Sequence, residues 1–165
     1  MTARPDRSAR FEPVSAYVAL GANLGDAVSA VRQAIAALNQ VPHTHLVQAS
    51  PLLSSDPVDA DGPTYVNAVA HIQTHLNAVQ LLEALQDLEQ AAGRTRDYHH
   101  APRTLDVDLL FYGEAQMQSV FLSLPHPRWQ QRAFVLLPLH ALCPAKVSPQ
   151  MLQAVADQAA AWLPD

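Results

Sequence analysis

With 165 residues, 49% hydrophobic and 15% charged, the chain is long and apolar enough to bury the core of one globular domain. Its formal charge of −5 argues against the global basic field of a nucleic-acid binder, so an anionic ligand would need a local cluster of arginines. Cys143 is the only cysteine, which excludes an intrachain disulfide and fits a reducing cytoplasm, and no apolar run is long enough to span a membrane.

Residues 1–13 carry Arg4, Arg7 and Arg10 with no apolar segment behind them, so they are not expected to be a secretory signal. They read as a disordered tail ahead of a single domain over 14–165. Tyr17-Val18-Ala19-Leu20 is a short apolar run ending at Gly21 and predicts a buried strand. The turn that follows ends at Asp26, a good N-cap for a helix whose stripe is Val28, Val31, Ile35 and Leu38. Leu46 to Leu53 predicts a second strand, interrupted at Pro51, and 54–63 a loop rich in Asp, Gly and Pro. Tyr65 to Thr74 predicts a third strand. Asn77 then caps a second helix with the stripe Leu81, Leu85, Leu88 and Ala92, and Gly93 stands just past its end. A polar stretch to Ala101 leads into a strand around Asp106 and Asp108 that ends at Gly113. One more strand is expected within 117–124, and Pro125-His126-Pro127 breaks the chain. A third helical region runs from Trp129 to Leu142 with an interruption at Pro138. Ser148-Pro149 opens a last helix that is expected to reach Trp162. The order β-α-β-β-α-β predicts an α+β, ferredoxin-like core with an antiparallel sheet, an extra hairpin strand and C-terminal helices.

The most informative run is Pro102-Arg103-Thr104-Leu105-Asp106-Val107-Asp108-Leu109-Leu110. Its strand period puts Asp106 and Asp108 on one side, their Cα atoms about 7 Å apart. Spacing alone fits a solvated strand face as well as a cation site. Arg103 lies a few residues upstream, and paired acids beside a fixed guanidinium suit a divalent metal and a polyphosphate. His43-Thr44-His45 has no other ligand cluster beside it in the sequence and is not carried further as a metal site.

Several segments, in order over roughly residues 15–145, resemble the 6-hydroxymethyl-7,8-dihydropterin pyrophosphokinases of folate biosynthesis. They are Tyr17 through Asp26, Tyr65-Val66-Asn67-Ala68, Leu88-Glu89 through Gly93-Arg94, Pro102 through Leu110, Pro125-His126-Pro127, and Arg132 through Leu139. The resemblance implies attack of a pterin hydroxymethyl oxygen on the β-phosphorus of ATP, with release of AMP. It further implies a monomeric cytoplasmic enzyme with small-molecule substrates and no nucleic-acid or membrane partner. By the same resemblance, Asp106 and Asp108 match the family's Mg²⁺ ligands, expected to hold two ions. Arg94 and Arg103 match positions beside the triphosphate and, with the two acids, the catalytic set. Glu89, His126 and Arg132 match further ATP-site positions. Asp56, Pro57 and Val58 fall in the pterin loop; Tyr65, Asn67 and Phe134 match pterin-facing side chains, and His100 stands where many members carry a tryptophan near the pterin. The stretch before His100 is about one residue shorter than is common, and Phe121 stands where several members carry an arginine.

From the residues alone, each position also has a structural reading. Glu89 fits a solvated helix end, Arg94 a charge complementing that helix's C-terminus, His126 a turn, and Tyr65 and Phe134 core aromatics. Three further functions compete: a paralogue acting on another pterin-like alcohol, an idle nucleotide- or pterin-binding module, and a ferredoxin-like RNA binder. The acidic charge and lack of an aromatic sheet motif oppose the last.

Overall fold

The computed structural model describes residues 12–56, 63–92 and 105–164. Alternation in the first strand sets the layout. In β1 (Val14–Ala22), Ala16, Val18, Leu20 and Ala22 are buried on one face, and Tyr17, Ala19 and Gly21 point to the other. The turn after β1 uses Gly25 at φ +59°, and Asp26 then caps α1 (Ala27–Leu38). Its Oδ1 accepts the Ser29 N–H at 3.1 Å and its Oδ2 the Ser29 hydroxyl at 2.9 Å, which lowers the carboxyl pKa.

The chain returns as β2 (Thr44–Ala49), breaks around Pro51 and resumes as β3 (Leu53–Ser55). The expected loop therefore begins later than Ser54, because the backbone of Leu53–Ser55 finds partners on both sides. β4 (Tyr65–Thr74) pairs with β1, β2 and β3. α2 (Ala78–Ala92) opens with a reciprocal cap: Asn77 Oδ1 accepts the Gln80 N–H at 2.8 Å, and Gln80 Oε1 accepts the Asn77 N–H at 3.0 Å. β5 (Asp106–Tyr112) closes the core and ends at Gly113, φ +52°.

The expected single strand within 117–124 is instead a hairpin of β6 (Met117–Gln118) and β7 (Ser123–Leu124). Ser119 turns the chain: its Oγ and N–H both bond to the Leu122 carbonyl, at 3.1 and 3.0 Å. A 3₁₀ turn at Trp129–Gln131 precedes α3 (Ala133–Leu142), with Arg132 alone in extended conformation between them. Pro138 does not interrupt α3. The bond it forfeits is offset by the burial of Val135, Leu136, Pro138 and Leu139.

The last helix is also shorter than expected. α4 (Pro149–Ala154), capped by the Ser148 hydroxyl, stops well before Trp162, and Ala160–Trp162 form β8 against β3. The alanine-rich run has helical propensity, but pairing with an open sheet edge overrides it.

The main sheet runs β5-β1-β4-β3-β8 with β2 also beside β4, and every pair is antiparallel. This is the expected α+β, ferredoxin-like order. α1 and α2 cover the face of Val18, Ala68, Ile72 and Leu109. α3 and the α4 region cover the face of Tyr17, Val69, Leu110 and Phe111. Among the described residues, no helix is long and apolar enough to cross a membrane.

At the far end of that second face, His71 stacks on Tyr17, with centroids 4.6 Å apart and planes 7° apart, and its Nε2 lies 3.1 Å from Ser15 Oγ. Lys146 Nζ sits over Phe111 at 4.4 Å and over Tyr17 at 5.4 Å. Burial, then the Lys146 charge, lowers the His71 pKa below its ordinary 6.5. The folded pKa is below the unfolded one, so the unfolded chain binds more protons as pH falls through about 6.5. His71 thus makes stability decline from about 6.5 downward. An NMR titration of the His71 ring should give a midpoint below 6.5 that rises in Lys146→Met. A midpoint at or above 6.5 contradicts the burial assigned to it.

Candidate active site

Strand register, more than any single side chain, assembles the site. Gly21 of β1 lies opposite Asn67 of β4 on one side and Asp106 of β5 on the other, and Asn67 lies opposite Leu53. One row of the sheet is therefore Asp106, Gly21, Asn67, Leu53. The next row is Asp108, Ala19, Val69. Small residues at the centre of both rows leave a depression between the acids and Asn67. β5 also skips a residue: Tyr17 pairs with Phe111 and Val18 with Leu109, so Leu110 is bulged. The bulge lets Asp106, Asp108, Leu110 and Phe111 all share the face covered by α3.

The depression is the floor of a cavity of about 430 Å³. The sheet supplies Ala19, Gly21, Asn67, Tyr65, Asp106 and Asp108; β3 and its end supply Ser55 and Asp56. The opposite wall is the entry to α3: Arg128, Gln131, Arg132, Phe134 and Val135. Arg132 is half-buried, and its guanidinium carbon lies 5.5 Å from the Phe134 ring centroid, within cation–π range. The two acids of β5 thus stand across the cavity from two arginines, with Asp56 at the end of the floor.

Asn67 is buried at 3% exposure, and its amide is oriented. Nδ2 donates to Ser55 Oγ at 2.7 Å and to the Leu53 carbonyl at 3.3 Å. A carbonyl can only accept, so the nitrogen must face Leu53, and Oδ1 faces Gly21. A Cβ on Gly21 would stand 3.2 Å from that oxygen.

His126 stands behind the arginine wall, after the cis Leu124–Pro125 peptide. Its Nδ1 accepts the Arg128 N–H at 3.2 Å, which leaves the ring proton of the neutral form on Nε2. Burial lowers its pKa; the charge of Asp108 opposes that shift, and those of Arg132 and Arg128 add to it.

Of the residues predicted from the sequence, Asp56, Tyr65, Asn67, Asp106, Asp108, Arg132 and Phe134 line this one cavity, and His126 adjoins it. Glu89 is not among the lining residues. α2 packs behind β5, and Glu89 Oε1 accepts the Val107 N–H at 2.8 Å on the strand's outer edge, between the two acids. Pro57, Val58, Arg94, His100 and Arg103 lie outside the described residues. Phe121 sits at the hairpin turn, 86% exposed. The sequence prediction omitted Ser55, Gly21, Arg128 and Gln131. Of these, Arg128 had a signal, since it stands two places after His126, on the same short turn.

The chain is similar in sequence and in fold to known proteins. The family model for 7,8-dihydro-6-hydroxymethylpterin-pyrophosphokinase (HPPK) matches residues 17–144. A 2-amino-4-hydroxy-6-hydroxymethyldihydropteridine pyrophosphokinase of Pseudomonas aeruginosa is 46% identical over 129 residues, covering 78% of this chain and 80% of that one. The protein of the same name from Haemophilus influenzae is 41% identical, covering 82% and 86%. The one from Bacillus subtilis is 38% identical, covering 87% and 86%. In fold, the chain is similar to the crystal structure of Plasmodium falciparum HPPK-DHPS with pterin and p-hydroxybenzoate, with a TM-score of 0.62 at 13% identity. That match covers 80% of this chain but only 40% of the Plasmodium chain.

Proposed function

Because the chain belongs to the 7,8-dihydro-6-hydroxymethylpterin-pyrophosphokinase family, we propose that this cavity carries out the pyrophosphoryl transfer of folate biosynthesis, from ATP to 6-hydroxymethyl-7,8-dihydropterin. The observation that carries the assignment is the arrangement across one cavity: Asp106 and Asp108 face Arg128 and Arg132, with Asn67 and Ser55 at the end of the same floor. The first group suits a charged polyphosphate, and the second suits the polar edge of a planar ring.

In this reading the hydroxymethyl oxygen forms a bond to the β-phosphorus, the bond from that phosphorus to the α-phosphate oxygen breaks, and AMP leaves with that oxygen. The hydroxyl proton passes to solvent. No covalent enzyme intermediate is required, so positioning and charge neutralisation carry the rate. Arg132 and Arg128 offer guanidinium forks to phosphate oxygens, and Arg94, Arg103 and His126 are assigned to the same triphosphate. Glu89 is assigned to the ATP site through the strand it braces at Val107. Phe134 and Tyr65 bound the ring on its apolar sides, and Asn67 Oδ1 reads a donor on its edge. Asp56, Pro57, Val58 and His100 are assigned to the pterin side through the family resemblance.

Asp106 and Asp108 are assigned as the Mg²⁺ ligands, for two ions. Among the described residues, no group of three or more His, Cys, Asp or Glu side chains could hold a metal by itself. A pair of carboxylates fits Mg²⁺, which takes few protein ligands and completes its shell with water and phosphate oxygens. Bound there, Mg²⁺ would neutralise phosphate charge at the reacting end of ATP. A monomer in the cytoplasm belongs to the same proposal, and the lone cysteine suits that setting.

The test is metal dependence. Pterin-dependent AMP formation should vanish when EDTA removes divalent ions and return on addition of Mg²⁺. Turnover that persists without divalent metal overturns the role given to the two acids.

A further inference from the structure

We propose that the C-terminal segment Gln158–Trp162 is a clasp that sets the two walls of the cavity against each other, with Gln158 a positioning residue for Arg132. This rests on the pyrophosphokinase reading above. Gln158 lies beyond residues 17–144, the part matched by the family model, and it lines no part of the main cavity.

Its side chain spans a single residue of the opposite wall. Oε1 accepts the Ala133 N–H at 2.9 Å, and Nε2 donates to the Gln131 carbonyl at 2.9 Å. The residue between those two groups is Arg132. Arg132 is extended at φ −126°, ψ 116°, between the 3₁₀ turn and α3, and makes no side-chain cap of its own. One amide therefore bonds both backbone neighbours of the phosphate-facing arginine. It supplies the helix cap that Arg132 does not. Phe134, the next wall residue, leaves the same capped turn.

The same segment holds the ring-side wall. β8 pairs Ala160 with Ser55, Ala161 with Ser54 and Trp162 with Leu53. The Ser54 hydroxyl donates to the Ala161 carbonyl at 3.2 Å, and the Asp56 N–H donates to the Ala159 carbonyl at 3.4 Å. Ser55 in turn accepts from Asn67. The two tethers meet in a side pocket of about 230 Å³ lined by Ser55, Asp56, Ala133, Phe134, Asp157, Gln158 and Ala159. Five residues of chain thus couple the arginine wall to the wall that carries Ser55 and Asp56.

The experiment is a double-mutant cycle of Gln158→Ala and Arg132→Ala. It is read by turnover and, separately, by calorimetric binding of ATP in the presence of Mg²⁺. Misplacing a positioned group costs roughly 10- to 100-fold, and that loss in kcat/KM for ATP is expected for Gln158→Ala with its circular dichroism unchanged. In the Arg132→Ala background the same change should cost little more, because the group it positions is already gone. Equal losses in both backgrounds, or a lower Tm with normal kinetics, overturn the proposal. If Gln158→Ala does not fold, Gln158→Glu takes its place, since it keeps the acceptor toward Ala133 and loses the donor toward Gln131. A wild-type chain that binds ATP without forming AMP overturns the transfer reading, while the Gln158–Arg132 coupling is still decided by the binding arm. A chain that binds no ATP overturns both.

Discussion

Replacing Asp108 by alanine will lower pterin-dependent AMP formation by at least about a hundredfold, the order of loss when one group of a preorganised electrostatic site is removed. The fold should survive. Asp108 is paired through its backbone with Ala19, and its half-buried side chain points into the cavity rather than the core. Two carboxylates on one strand face repel each other when no cation lies between them, so Tm should hold or rise. Asp108→Asn is the sharper control. It keeps shape and volume and removes only the charge, so a comparable loss assigns the effect to charge. Activity near wild type in both variants removes Asp108 from the metal site. Urea unfolding of the same proteins separates the outcomes, because a folding defect lowers the midpoint and loss of this charge does not.

Replacing Gly21 by valine should weaken binding of the pterin while leaving the sheet intact. Gly21 is the one residue between Asp106 and Asn67 in their row, and the cavity floor at that point is bare backbone. An added Cβ already comes within 3.2 Å of Asn67 Oδ1, and the two valine methyls project further into the space assigned to the ring. Asn67 cannot retreat without giving up its bonds to Ser55 and Leu53. Gly21 needs no positive φ, so a β-branched residue suits its backbone. The expected result is loss of pterin binding by at least about tenfold, equivalent to about 1.4 kcal/mol, with ATP binding little changed. Gly21→Ala should fall between the two. Equal weakening of both ligands would place Gly21 in the structural frame and not in the ring subsite.

Much of this site was legible because it rests on period. Alternation around Asp106 and Asp108 put both acids on one face, and the same alternation in Tyr65–Thr74 put Asn67 opposite the buried Val66 and Ala68. What sequence could not give was register. That Gly21 falls between Asp106 and Asn67 depends on how three distant strands align, and the bulge at Leu110 has no local marker. Gln158 is hidden for the same reason: its partners are Gln131 and Ala133, more than twenty residues away. The misread elements failed where tertiary contacts outweighed local preference. Ala160–Trp162 left the helix for a sheet edge, and Pro138 stayed in α3 because its neighbours are buried. Glu89 reads from the sequence as an ATP-site acid or a solvated helix end, and only the fold shows that its carboxylate also braces the outer edge of β5. Arg94, His100, Arg103, Pro57 and Val58 lie outside the described residues.

The most direct measurement is the identity of the leaving nucleotide. The chain is incubated with ATP, Mg²⁺ and 6-hydroxymethyl-7,8-dihydropterin, and the products are followed by ³¹P NMR. AMP should appear in step with a new diphosphate ester on the pterin, and neither should form when the pterin is left out. ADP as the nucleotide product, or AMP that forms equally without the pterin, contradicts the assignment of this cavity.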